Sequence, residues 1–249
     1  GIDRTHNPEF TELEAYAAYW DYNDMMKLME NLFEMLAKTL FGTTVFKVEK
    51  EGETYEIDVK APWKRMTMNE SIKTYAHIDV NQLSDEEMRQ MLREKTALDP
   101  YDIKKATRGA MIALLFEELV EKHLIQPHHI TDHPIETTPL CKPHRNPKMR
   151  SEGIVERFES FILGGEYCNS YTELNDPVLQ RKLLEEQAEK QKAGDLEANP
   201  LDEEFIEAIC QGMPPTSGIG MGMDRIVMLF TNAPSIRDVL FFPLMRPEE

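Results

Sequence analysis

The chain is poor in cysteine and in positive charge, and it has no long apolar run. Cys141, Cys168 and Cys210 are the three cysteines in 249 residues. Their odd number and wide spacing exclude a disulfide framework and point to reduced thiols. No stretch is apolar over the length of a bilayer-spanning helix, and the first residues lack a secretory signal pattern, so a soluble, cytoplasmic protein without membrane partners is expected. Lys and Arg number 28 against 45 Asp and Glu, a formal net charge of −17. A surface that acidic repels phosphate backbones, so any nucleic-acid grip must come from a local basic patch or from another part of the molecule. The sequence also lacks an initiator Met and starts directly in a dense polar stretch, "GIDRTHNPEF", as expected of a chain that begins inside a larger protein.

What is present reads as interspersed strands and helices. Residues 10 to 18 alternate as a strand, placing Phe10, Glu12, Glu14 and Tyr16 on one face. Met25, Leu28, Met29, Leu32, Leu36 and Leu40 recur at helical spacing up to Gly42, and this Met-rich stripe reads as core filler. "TVFKVEK" and "ETYEIDV" flank a short turn as a hairpin. Ser84 with Glu87 forms a capping box, and Asp102 is expected to open a longer helix carrying Met111, Leu114, Leu115, Leu119 and Val120. Residues 126 to 150 read as strand then loop, and 157 to 174 as two strands about Gly164-Gly165. A charged helix follows from Asp176 to Ala193, then a linker near 190 to 202 that reads as an insertion. A helix near 202 to 211, a strand and a terminal helix complete the order. Short turns between neighbouring strands favour an α+β fold with an antiparallel sheet over a doubly wound parallel one.

The segment "GIGMGMDRIVMLF", residues 218 to 230, has glycines on alternate positions ahead of a helix. It lacks the third glycine of a G-x-G-x-x-G loop and any G-K-[ST], and glycines in a strand often mark close approach of another group. Arg225 falls in the first helical turn, where the macrodipole disfavours a cation by about 0.3 to 1 kcal/mol, so an anion is expected there. "HHITDH" and "CKPH" match no zinc spacing and read as polar loop residues. Pro215 stands where a G-x-S-x-G elbow needs glycine.

Glu14, Glu159, Glu166 and Glu173 are acids in aromatic, strand-like segments, where a buried carboxylate needs a partner. The partner could be a divalent cation, a cationic substrate, or an internal arginine such as Arg157 or Arg225. Asn169, Tyr171 and Glu173 share one strand face, as do Phe10, Glu14 and Tyr16. Glu166 has the opposite parity, so bringing it to the same site requires a β-bulge near Cys168.

"HNPEFTELEAY", "RFESFILGGEYCNSYTELNDP" and "GMPPTSGIGMGMDRIVMLFTNAPSIRDVLFFPLMRP" together resemble the catalytic domain of class II lysyl-tRNA synthetases, over almost the whole chain. The resemblance implies a class II catalytic fold over residues 1–249, a six- to seven-stranded antiparallel sheet flanked by helices. It implies ATP-dependent activation of L-lysine to lysyl-adenylate, transfer to tRNA(Lys), and Mg2+ at the triphosphate. By motif position, His6 and Asn7 contact ATP, Phe10 stacks on adenine, and Arg225 meets the γ-phosphate as the catalytic arginine. Glu159 and Glu166 correspond to the Mg2+ carboxylates, Glu159 also on the ATP side. Glu14 and Glu173 hold the lysine ammonium in a pocket lined by Tyr16, Asn169, Tyr171, Gly218 and Gly220. The family's motif 2 arginine, its motif 1 and its N-terminal anticodon-binding barrel have no counterpart in this sequence. The chain alone is therefore expected to be impaired, with tRNA bound mainly through the barrel and a homodimer formed by the complete protein. Two alternatives are a barrel-lacking paralogue that lysylates a translation factor and a non-catalytic ATP- or partner-binding fragment.

Overall fold

Strand pairing runs continuously across a six-stranded sheet, and its register decides which side chains meet. The computed structural model describes residues 3–192 and 201–244. β1 (Glu12–Ala18) leads to α1 (Tyr22–Phe41), then to a hairpin of β2 (Val45–Lys50) and β3 (Glu53–Asp58). β4 (Lys64–Thr67) follows, then a helical block of α2 (Met68–Ser71), α3 (Asp85–Lys95), α4 (Pro100–Lys105) and α5 (Arg108–Leu119). After it come β5 (His128–Thr131), α6 (Pro147–Ser151), β6 (Arg157–Ile162), β7 (Gly165–Thr172), α7 (Pro177–Lys192), α8 (Glu203–Cys210), β8 (Thr216–Gly222) and α9 (Met223–Thr231). The large sheet has the order β1-β8-β7-β6-β5-β4. Every pair is antiparallel except β4 with β5, which the helical block joins as a crossover.

The α+β fold is the one the sequence implies. α1 opens with Asp21 and Asp24 in a capping box and closes on Gly42, whose φ of 74° is the left-handed C-cap conformation. Its Met25, Met26 and Met29 are buried, whereas Leu40 is exposed. The Ser84–Glu87 box forms as expected. Asp102 does not open a helix: Asp99 caps α4, with Pro100 in its first turn, and Thr107 breaks the run and caps α5. Thr107 adopts extended backbone angles and accepts from Ala110 N, so two short helices replace one long helix. The linker expected near 190 to 202 falls largely outside the described residues. Among the described residues, no helix is long and apolar enough to cross a membrane.

The histidine-rich stretch also departs from expectation. His128 and His129 lie on β5, and His128, His129, His133, His144 and Cys141 are all buried. Each has a hydrogen-bond partner. His129 Nδ1 lies 2.8 Å from Ser160 Oγ, His133 Nε2 donates to Ile130 O at 3.0 Å, and His144 Nδ1 accepts from Asn146 N at 2.9 Å. Burial holds the His133 imidazole down at about 4, so it stays neutral.

The two faces of the sheet are covered unequally. One face packs fully on α1, the hairpin and α9, through Phe33, Phe158, Cys168, Ile219, Met221 and Ile226. On the other, α2 to α5 cover the β4-β5-β6 half through Met66, Ile130, Phe161, Leu92, Met111 and Phe116. One transverse row shows the change. Met66 pairs with Ile130, Ile130 with Glu159, Glu159 with Asn169, Asn169 with Gly220, and Gly220 with Glu14. Paired residues share a face, so the row passes from apolar side chains under helices to polar ones over β7, β8 and β1.

Phe33 anchors the covered face, with its ring centroid 5.2 Å from Trp63, 5.6 Å from Phe230 and 6.1 Å from Tyr167. Phe33→Ala should lower stability by about 3 to 5 kcal/mol, measured as a shift of the urea unfolding midpoint at unchanged slope.

Candidate active site

The uncovered half carries the polar residues singled out in the sequence, and a β-bulge brings them onto one side. Ser160 pairs with Cys168 but Phe161 pairs with Glu166, leaving Tyr167 as the extra residue. Tyr167 packs on Phe33 and Cys168 is buried beside it, so both turn toward the core. Glu166 is thereby returned to the face of Glu159 and Asn169, as the sequence parity required.

At one end is a cavity of 320 Å³. The segment before β1 contributes His6, Asn7 and Phe10, β7 contributes Glu166 and Asn169, and the β8–α9 junction contributes Gly220, Gly222, Asp224 and Arg225. Phe10 is 60% exposed and offers an aromatic face. Asn7 donates from Nδ2 to Glu9 O at 2.5 Å, while its Oδ1 is buried without a partner among the described residues. Asp3 shapes the approach by accepting from Thr5 N and His6 N, each at 2.7 Å, and by facing His6 Nδ1 at 2.8 Å.

Arg225 lies in the first turn of α9. Its Nη1 donates to Glu166 O at 2.8 Å, and its Nη2 lies 3.5 Å from His6 Nε2. The dipole cost is met partly by the Glu166 carbonyl and partly by neighbouring Asp224, whose Oδ2 accepts from Thr11 N at 2.6 Å and ties α9 to the start of β1. Asp224 is a site residue that the sequence reading passed over.

The other end is built around β8. Gly218 pairs with Tyr16 on β1 and with Tyr171 on β7, and Gly220 pairs with Glu14 and Asn169. The Glu173 carboxylate and the Tyr16 ring lie over Gly218, closer than any Cβ there would allow, and Glu12 Oε1 lies 2.5 Å from the place of a Gly220 Cβ. The glycines are therefore needed because flanking side chains lean across the strand. Tyr16 OH donates to Glu14 Oε2 at 3.3 Å.

Acids outnumber their arginine partners. Arg157 Nη2 donates to Glu159 Oε1 at 2.5 Å and Nε donates to Asn169 Oδ1 at 3.0 Å, so one arginine fixes two expected site residues. Arg225 Nη1 is 3.9 Å from Glu166 Oε2. Both internal arginine partners considered from sequence thus form ion pairs. Desolvation, and then the charge of Glu14, pushes the Glu173 carboxyl up to about 8. Desolvation and Glu159 raise Glu166, against the pull of Arg225. Glu121, at the end of the helical block, is pushed up to about 8 by desolvation and by Glu117, Glu159 and Glu166. Glu159 stands between the two ends, on β6 beside Asn169, and Glu12 and Asp224 also line the cavity.

A half-bare, mostly antiparallel sheet, with an arginine heading its last helix and acids spread across its strands, defines the catalytic fold of class II aminoacyl-tRNA synthetases. The family model "tRNA synthetases class II (D, K and N)" matches residues 1–246, and the chain belongs to that family. Among curated relatives, the lysine–tRNA ligase of Chlamydia pneumoniae is 56% identical over 250 residues, covering 99% of this chain and 47% of the relative. That of Clostridium perfringens strain SM101 is 47% identical over 250 residues, covering 100% and 48%. That of Saccharolobus solfataricus is 50% identical over 244 residues, covering 98% and 47%. The chain spans about half the length of the curated relatives it matches.

The raised carboxyls make stability pH-dependent. Glu121 and Glu173 keep protons in the folded state that the unfolded chain has already released, so folding stability falls as pH rises through about 8. The buried histidines oppose this only below their unfolded pKa of about 6.5. Between about pH 6.5 and 8 the protein should therefore lose thermal stability, with the loss levelling off above that range; a flat or rising melting temperature over that window contradicts the assignment.

Proposed function

We propose that the protein carrying this chain is a lysine–tRNA ligase, and that the two ends of the bare sheet are its lysine and ATP subsites. The observation that carries the reading is the Glu14–Glu173 pair beside Tyr16 and Tyr171, with the Glu173 carboxyl pushed up to about 8 by burial and by the charge of Glu14. A long aliphatic cation suits such a slot, because its stem packs on the rings while its ammonium replaces the missing counter-charge. The names of the relatives point the same way.

In the reaction, a lysine carboxylate oxygen attacks the α-phosphorus of ATP, the bond to the bridging oxygen breaks, and pyrophosphate leaves. A hydroxyl at the 3′ end of tRNA(Lys) then attacks the carbonyl carbon and AMP departs. Positioning and charge neutralisation dominate such chemistry. Phe10 stacks on the adenine, while His6 and Asn7 contact ATP, the buried Asn7 Oδ1 offering an unused acceptor. Arg225 takes the γ-phosphate beside a helix N-terminus, where two sources of positive potential add. Glu159 and Glu166 would hold Mg2+, because Glu166 lines the cavity and the charge of Glu159, two strands from Gly220, raises the cost of ionising it. When bound, Mg2+ supplies positive charge to the triphosphate oxygens. Tyr16, Asn169, Gly218 and Gly220 hold the lysine in line. We assign tRNA binding chiefly to parts of the protein beyond this chain, because a net charge of −17 disfavours nucleic acid. The complete protein is read as a cytoplasmic homodimer.

Lysine-dependent exchange of pyrophosphate into ATP tests the reading, followed by charging of tRNA(Lys). Glu173→Gln should raise the lysine KM by about tenfold or more and leave the ATP KM within about twofold. An unchanged lysine KM removes the pocket assignment. Arg225→Ala should weaken ATP by a similar factor and spare lysine binding measured without nucleotide; retention of ATP affinity counts against its role.

A further inference from the structure

Arg157 contacts no substrate in the reaction as described, yet its guanidinium joins residues of both subsites. It opens β6, shares a strand face with Glu159, and pairs in register with Tyr171, two residues along β7 from Asn169. Its side chain is 13% exposed, so little water competes for its hydrogen bonds. Each of its three nitrogens has a different partner. Nη2 donates to the Glu159 carboxylate on its own strand, Nε donates to Asn169 Oδ1 on the next strand, and Nη1 donates to Thr137 Oγ1 at 3.4 Å, outside the sheet. Thr137 is itself anchored, its hydroxyl donating to Pro134 O at 2.7 Å.

For Asn169 the consequence is an orientation. A carboxamide can turn either its oxygen or its nitrogen to a ligand, and the two ends occupy nearly the same space. A guanidinium only donates, so it binds the oxygen and leaves the nitrogen free. Among the described residues Asn169 Nδ2 has no hydrogen-bond partner. Of this pair it is Asn169 that lines the 320 Å³ cavity. The shape of the donor matters as well as its charge. A planar fork serves acceptors on two strands at fixed angles, whereas an ammonium is a point charge that goes to the carboxylate in preference to a neutral amide.

We propose that Arg157 is a positioning residue for the amino-acid subsite, braced on Glu159 and Thr137, which turns the Asn169 amide so that its Nδ2 donor faces the substrate. The inference rests on the lysine reading above. It makes one guanidinium a brace shared by both subsites, since the group that neutralises Glu159 also sets Asn169.

Titration calorimetry on the complete protein measures lysine without nucleotide and, separately, ATP with Mg2+. Arg157→Lys keeps a charge beside Glu159 and gives up the arm to Asn169, so it should weaken lysine about tenfold and leave ATP within about twofold. Asn169→Ala alone should weaken lysine by as much, and an unaltered lysine affinity there overturns the proposal whether or not the Arg157 variant folds. In the Asn169→Ala background, Arg157→Lys should cost less than about a further twofold, because the residue it acts through is gone. An unaltered lysine affinity in Arg157→Lys overturns the proposal, as does a tenfold loss repeated in full in that background. A smaller binding-competent fraction with both affinities unaltered also overturns it, being the signature of a purely structural role. If the unaltered protein binds no lysine, the ligase reading fails and this inference with it, whereas lysine binding that Arg157→Lys leaves intact removes Arg157 alone.

Discussion

An excess of carboxylate on a sheet surface with little to neutralise it governs this molecule. Glu12, Glu14, Glu121, Glu159, Glu166 and Glu173 converge on or beside one half-bare face, and Arg157 and Arg225 answer them. Held together without ligand, such groups cannot all ionise cheaply, and two of them are pushed up to about 8. The surrounding fold makes that strain tolerable. A fully packed opposite face, centred on Phe33, keeps the strands in register, and Arg157 pins Glu159 and Asn169 from within the sheet. A site of this kind is completed by cations, and the substrates of the proposed reaction bring them as lysine and Mg2+.

Much of this was legible in the sequence because it depends on local rules. Alternation placed Glu14 with Tyr16 and Asn169 with Tyr171 and Glu173, and the capping residues located α1 and α3. The parity clash at Glu166 carried information of its own. It demanded an extra residue near Cys168, and Tyr167 is that residue, turned inward by contact with Phe33. A single aromatic packing preference in the core thus decides where a carboxylate emerges on the opposite face.

What could not be read depended on partners distant in the chain. The histidines of "HHITDH" look like loop residues because their acceptors, Ser160 and backbone carbonyls, are not adjacent in a way that periodicity reveals. The break between α4 and α5 was hidden because Asp99 and Asp102 are equally good cap types, and Pro100 made the earlier one win. Glu121 escaped notice because its significance lies in the charges around it. The bareness of β8 was visible, but its cause was not: the neighbouring strands fill the space above the glycines with their own carboxylates.

The pairing of β1 with β8 has a consequence in time. Glu14 sits opposite Gly220, so the two sides of the polar surface come from nearly opposite ends of the described sequence. Closing so long a loop is entropically costly, and contacts of that separation form late. During synthesis the N-terminal wall must wait, with an exposed strand edge, until almost the entire chain has emerged. A partly made chain therefore lacks this surface, and the face over β8 is complete only when that strand is in place.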